Sequence, residues 1–192
     1  MSRSSDTLRH TRQNIPVSKR NDSPKDSTQH LRAAILTVSD KGSRGERVDE
    51  SGPALARWLF DHGAEISAAA IVPDEQPRIA RTLEQWADSD EADLILTTGG
   101  TGVAPRDVTP EATMQVVERV IPGFSEAMRA ASLAKTPFAI IARGVCGIRR
   151  RTLILNLPGS PTAAVENLEA VWAAVPHAIR KIQGDPSECD QK

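Results

Sequence analysis

A chain of 192 residues lies below the ~250–300 residues at which hydrophobic cores split, so one domain is expected. Its formal net charge of −1 and sequence pI of about 6.4 leave no general basic footprint, which excludes duplex nucleic acid as a main partner and makes any anion recognition local. Cys146 and Cys189 do not form the dense pattern of a stapled secreted domain, and no apolar run approaches a membrane span of ~18–20 residues or the core of a signal peptide. A cytoplasmic protein without a membrane partner is expected.

Residues 1–31 hold few large apolar side chains, among them Met1, Leu8, Ile15 and Val17, too few to offset the entropy of ordering; a disordered, mildly basic tail is expected there. From Arg32 the sequence becomes a short buried-strand run ending in Ser39-Asp40, followed by a polar loop to Asp49. Ser51-Gly52-Pro53 opens a helix with Leu55, Leu59 and His62 on one face, Trp58 and Phe60 at its borders, and Gly63 as its stop. Residues 64–72 read as a second strand, closed by Pro73-Asp74 before a helix carrying Ile79, Leu83 and Trp86.

Residues 93–98 read as the third strand. Residues 109–120 read as a helix with a Val116, Val117 and Val120 stripe, broken by Pro122-Gly123. A further helix carries Phe124, Met128, Ala131 and Ser132 and ends near Lys135-Thr136-Pro137. Residues 138–142 and 152–157 are apolar strand runs that could pair, separated by Gly144, Gly147 and Arg149-Arg150-Arg151. The last helix carries Val165, Leu168 and Trp172, with Pro176 breaking or kinking it before Ile179 and Ile182; residues 184–192 read as a frayed tail. Strands alternating with helices predict a three-layer α/β/α sandwich over residues 32–183 with a largely parallel central sheet.

Within that pattern residues 94–112, LILTTGGTGVAPRDVTPEA, join an apolar strand to a helix through a glycine turn. Gly99, Gly100 and Gly102 free the backbone to turn and leave N–H groups bare, while Thr109-Pro110-Glu111 is a helix start with Thr109 as the N-cap. Unpaired donors beyond the carboxyl end of a strand are where open α/β sheets bind anions. There is no Gly-Lys-Ser/Thr, and the third dinucleotide-fold glycine position holds Pro105, so neither a Walker A loop nor a dinucleotide fingerprint is present. A second junction of this type is Leu157-Pro158-Gly159-Ser160-Pro161, where Ser160 can cap a helix. Asp49 and Asp107 each precede a helix start; each is either a capping carboxylate or, beside Lys41, Arg44, Arg47 and Arg106, part of a phosphate and Mg²⁺ site. His62 and His177 lack companion metal ligands, and Ser160 lacks the nucleophile elbow.

These motifs together resemble the MogA/MoaB-type molybdopterin adenylyltransferases. The resemblance rests on residues 97–102 (TTGGTG), residues 106–112 (RDVTPEA), Thr37-Val38-Ser39-Asp40, Asp49 with Ser51-Gly52, Pro122-Gly123-Phe124 with Met128-Arg129, and Asn156 through Pro161. It implies a homotrimer that binds molybdopterin and ATP with Mg²⁺, transfers AMP to the terminal phosphate of molybdopterin, releases pyrophosphate and works with a molybdenum-insertion partner. It implies Asp49 and Asp107 as the catalytic pair, with Asp107 as the Mg²⁺ ligand. Substrate contacts fall to Ser39, Asp40, Gly99, Gly100, Thr101, Gly102, Pro158, Gly159 and Ser160. The alternative implied by the same resemblance is a non-catalytic molybdopterin-binding or assembly protein.

Overall fold

The computed structural model describes residues 31–186. Six strands form one sheet in the order β2-β1-β3-β6-β5-β4. They are β1 (Arg32–Val38), β2 (Glu65–Val72), β3 (Leu94–Thr98), β4 (Arg119–Val120), β5 (Cys146–Arg149) and β6 (Thr152–Leu157). β1 pairs in parallel with β2 and β3, and β3 with β6; the β5–β6 and β4–β5 pairs are antiparallel.

The inner strands are apolar at consecutive positions because both sheet faces are covered, and successive side chains feed two separate cores. Ile35, Leu96 and Leu155 lie in a core shared with residues of α2 (Ser51–Asp61), α5 (Pro122–Leu133), α6 (Pro161–Val171) and α7 (Val175–Ile182). Leu36, Ile95 and Ile154 lie in the other, with residues of α3 (Gln76–Asp88) and α4 (Thr109–Val116). The expected α/β/α sandwich with its largely parallel sheet is therefore the fold. From β1 the chain first adds β2 on one side and then crosses back to place β3 on the other. The carboxyl ends of β1 and β3 thus flank a topological switch point, where ligands of such sheets bind.

Several elements differ from the sequence expectation. Residues 138–142 are not a strand: Pro137–Ile141 is a 3-10 turn, with the Thr136 hydroxyl accepting the Phe138 N–H and Phe138 itself 78% exposed. Pro137 has no N–H to give a ladder, and the antiparallel partner of β6 is instead β5. The helix at residue 109 ends at Val116 because Val117 takes an extended ψ of 139°, and Val120 is an exposed residue of the edge strand β4. Its N-cap is Val108 rather than Thr109. α6 and α7 are divided by a 3-10 turn at Trp172–Ala174, and Pro176 lies in the first turn of α7 without interrupting it. Phe60 is 72% exposed, while Trp58 packs edge-on against Trp172, ring centroids 5.0 Å apart. The polar loop after β1 begins with one helical turn, α1 (Asp40–Ser43).

The expected N-terminal tail lies outside the described residues as far as residue 30, as does Cys189; Leu31 is buried. At the amino ends of the strands the Asp93 carboxylate accepts the Arg32 N–H at 2.9 Å, the Arg32 guanidinium at 2.8 Å and the Gln183 amide at 2.8 Å.

Candidate functional site

At the carboxyl edge three stretches of backbone touch. Gly99 has φ 100°, and a Cβ there would collide with the Val38 carbonyl; the missing Cβ of Gly159 would lie 3.2 Å from the Gly99 Cα. Only glycines allow the ends of β1, β3 and β6 to approach this closely. The Thr98 hydroxyl donates to the Pro158 carbonyl at 2.7 Å, tying the third loop to the first two.

The glycine turn is wired in one direction. The Gly99 carbonyl accepts from the Thr109 hydroxyl at 2.9 Å, and that of Gly100 from the Thr109 N–H at 3.0 Å. The Thr101 carbonyl accepts from the Arg143 N–H at 2.9 Å, and that of Gly102 from Arg143 Nε at 2.6 Å. In a trans peptide the next N–H points opposite to the carbonyl. The N–H groups of Gly100, Thr101, Gly102 and Val103 are thus turned the other way, and none has an acceptor among the described residues. Successive backbone donors left without an acceptor are the groups from which anion-binding concavities are built.

Carboxylates flank this turn. Asp107 Oδ2 accepts the Ala104 N–H at 2.8 Å, and a Cβ on Gly102 would stand 2.7 Å from the same oxygen. Asp74, which the sequence reading left as a strand-ending residue, stands on the other side: a Cβ on Gly100 would be 3.2 Å from its Oδ1. Asp40 and Asp74 exchange bonds, the Asp40 N–H donating to Asp74 at 2.6 Å and the Asp74 N–H to Asp40 at 3.1 Å. Arg106 grips Asp40 through two bonds of 3.0 and 2.7 Å. That grip holds the Asp40 carboxyl below its ordinary pKa. Burial pushes Asp74 above its ordinary value, and the negative charges of Asp40 and Asp107 add to the rise. A carboxylate poorly compensated in this way gains from a cation.

Asp49 sits apart from that cluster. Its carboxylate accepts the Thr37 hydroxyl at 2.7 Å and the Ser51 and Gly52 N–H groups at 3.0 Å each, fixing the start of α2. With Ser39, Gly99, Gly159 and Ser160 it lines a cavity of about 390 Å³. Thr101, Gly102 and Pro158 line a second cavity of about 290 Å³, walled by Met128, Phe138 and Ile141. The expected residues thus divide three ways: one set per cavity, and Asp40, Gly100 and Asp107 in the charged cluster between loops. Ser160 occupies the N-cap position of α6 but makes no capping bond.

Asp74, Arg143 and the second cavity were not anticipated. For Asp74 a signal exists: Val38 and Val72 are register partners in parallel strands, so Asp40 and Asp74, each two residues later, must share one rim. Among the described residues no three His, Cys, Asp or Glu side chains are grouped to hold a metal. The donor set still fits Mg²⁺, which binds through one or two carboxylates plus substrate phosphates rather than an all-protein cage.

The family described as "Probable molybdopterin binding domain" matches residues 34–177. The molybdopterin adenylyltransferase of Helicobacter pylori is 40% identical over 166 residues, covering 85% of this chain and 94% of that protein. That of Escherichia coli is 42% identical over 169 residues, covering 80% and 86%. The molybdenum cofactor synthesis protein cinnamon of Drosophila melanogaster is 44% identical over 154 residues, which are 80% of this chain; the chain spans only 26% of that protein's length. Among solved structures, the molybdopterin biosynthesis enzyme MoaB of Thermus thermophilus superimposes with a TM-score of 0.76 at 53% identity, covering 82% of this chain and 99% of that one.

Proposed function

Because the chain belongs to the "Probable molybdopterin binding domain" family, we propose that it is a molybdopterin adenylyltransferase of molybdenum cofactor biosynthesis. An oxygen of the terminal phosphate of molybdopterin attacks the α-phosphorus of ATP and forms the new O–P bond. The bond from that phosphorus to the β-phosphate oxygen breaks, and pyrophosphate leaves. The nucleophile is a phosphate monoester, whose second pKa near ~6 leaves it largely ionised at neutral pH, so no strong general base is needed.

The observation that carries this reading is the run of four N–H groups at residues 100–103 without an acceptor among the described residues, beside Asp74 and Asp107. The N–H groups hold phosphate oxygens before charge shifts between them, and so cost little reorganisation in the transition state. Asp74 and Asp107 would hold Mg²⁺ together with phosphate oxygens, and the ion would supply neutralisation of the phosphate charge. The two cavities are lined by different residues of the same two loops, Thr101, Gly102 and Pro158 in one and Thr98, Gly99, Gly159 and Ser160 in the other, which suits two substrates whose reacting ends meet over the glycine turn. Asp49 sets the wall of the larger cavity through α2 and, in this reading, faces the pterin-bearing substrate. ATP as the nucleotide, a homotrimeric assembly, a molybdenum-insertion partner and a cytoplasmic location complete the proposal. No helix among the described residues is long and apolar enough to cross a membrane.

The test is direct. Purified protein with molybdopterin, ATP and Mg²⁺ should release pyrophosphate and yield a product heavier than molybdopterin by one adenylyl group in mass spectrometry. Molybdopterin binding without pyrophosphate release would replace this reading with the non-catalytic one.

A further inference from the structure

Arg143 bonds the glycine turn and the loop after it at three carbonyls. Its N–H takes the Thr101 carbonyl at 2.9 Å. Its Nε takes the Gly102 carbonyl and its Nη2 the Asp107 carbonyl, each at 2.6 Å, while Nη1 pairs with Glu111. By peptide geometry the first two bonds aim the N–H groups of Gly102 and Val103, and the third pins the main chain that carries the Asp107 carboxylate. One planar guanidinium thus reaches three acceptors in three directions, which a lysine ammonium on a flexible stem cannot reproduce.

The main chain that carries Arg143 is anchored from outside the turn. Arg129 Nε holds the Ala142 carbonyl at 3.2 Å, just before Arg143. Just after it, the chain passes so close to β6 that a Cβ on Gly144 would stand 2.9 Å from the Asn156 carbonyl. Asn156 is buried and bound to Thr97 and Thr113 at 2.9 Å each. The fork is therefore carried on a segment clamped between α5 and the sheet, not on the turn that it shapes.

We propose that Arg143 is a positioning residue for phosphate binding and adenylyl transfer, its side chain acting through the carbonyls of Gly102 and Asp107 and touching no reacting atom; the Thr101 bond, made by its main-chain N–H, persists in every variant. This rests on the adenylyltransferase reading for its catalytic part only; the shaping of an anion site stands independently of it.

The experiment compares wild type, Arg143→Met, Arg143→Lys and, as a control for loss of an arginine that also bonds a carboxylate and a carbonyl, Arg149→Met. Amide hydrogen exchange should rise at Ala104, Asp107 and Thr109, whose N–H groups are bonded within and just after the turn, in both Arg143 variants while β1 and β6 stay protected. Binding of Mg²⁺-pyrophosphate, read by calorimetry, should weaken about tenfold. kcat should fall about 10²-fold, with the KM for ATP raised and the KM for molybdopterin unchanged. Arg149→Met should lower the melting temperature alone. Arg143→Lys is the variant to read if Arg143→Met does not fold. Unchanged exchange at Ala104, Asp107 and Thr109, or unchanged pyrophosphate binding in a folded Arg143 variant, overturns the proposal. If wild type shows no adenylyl transfer while exchange and pyrophosphate binding respond as stated, the adenylyltransferase reading fails and the positioning role stands.

Discussion

Asp74 and Asp49 stand on the same rim, and their surroundings give them opposite tasks. Asp49 is saturated with donors that build the start of α2, whereas Asp74 is held above its ordinary pKa, chiefly by burial. The sign of the stability effect follows. The native state binds the Asp74 proton more tightly than the unfolded chain does, so ionised Asp74 costs stability above its raised pKa, and that cost vanishes below the ordinary carboxylate value, where both states are protonated. Asp74→Asn should therefore raise the melting temperature at neutral pH, with the gain shrinking on acidification through that window, while adenylyl transfer falls about 10²-fold or more. Thermal melts across pH, paired with the pyrophosphate assay, check both halves. A loss of stability at neutral pH would show that the carboxylate is stabilising where it stands.

At the scale of elements, the inner strands were legible because burial on both faces leaves an unbroken apolar run, and β1, β3 and β6 each carry one. The glycine turn was legible for a local reason too: strand, glycines and proline-started helix are adjacent in sequence. The far side of the sheet was not. The apolar run at residues 138–142 reads as a strand until Pro137 is seen to start a 3-10 turn, and Cys146–Arg149 is a strand only because β6 offers it an antiparallel edge. Arg143 had no sequence signal, because its meaning lies in carbonyls 36 to 42 positions away, and Asp74 had one only through the register of two strands. The β4–β5 contact offers a test of packing independent of the site. A Cβ on Gly147 would lie 2.7 Å from Val117 Cγ1 and 2.8 Å from the Arg119 carbonyl. Gly147→Ala should cost about 1–3 kcal/mol in denaturant unfolding, with activity per folded molecule retained.

On the scale of the molecule, one continuous sheet separates two cores, and Cys146 lies within the first of them. Burial pushes its thiol pKa up to about 12, so it is neither ionised nor accessible in the native state. Thiol reagents at neutral pH should leave Cys146 unmodified in the folded protein and label it at the rate of unfolding in denaturant, as peptide mapping would show. Rapid native labelling at Cys146 would mean that the α5–α7 layer opens.

The shared grip on Asp93 has a consequence for how such a unit can be built into larger polypeptides. Arg32, where the first strand begins, and Gln183, just beyond the last helix, bind one carboxylate at the strands' amino ends, whereas the glycine turn lies at their carboxyl ends. Entry to and exit from the unit are thus neighbours, at the end of the sheet opposite the glycine turn. A host protein can accept the unit as an insert between closely spaced attachment points, or carry it on a tether at either side, without obstructing substrate access.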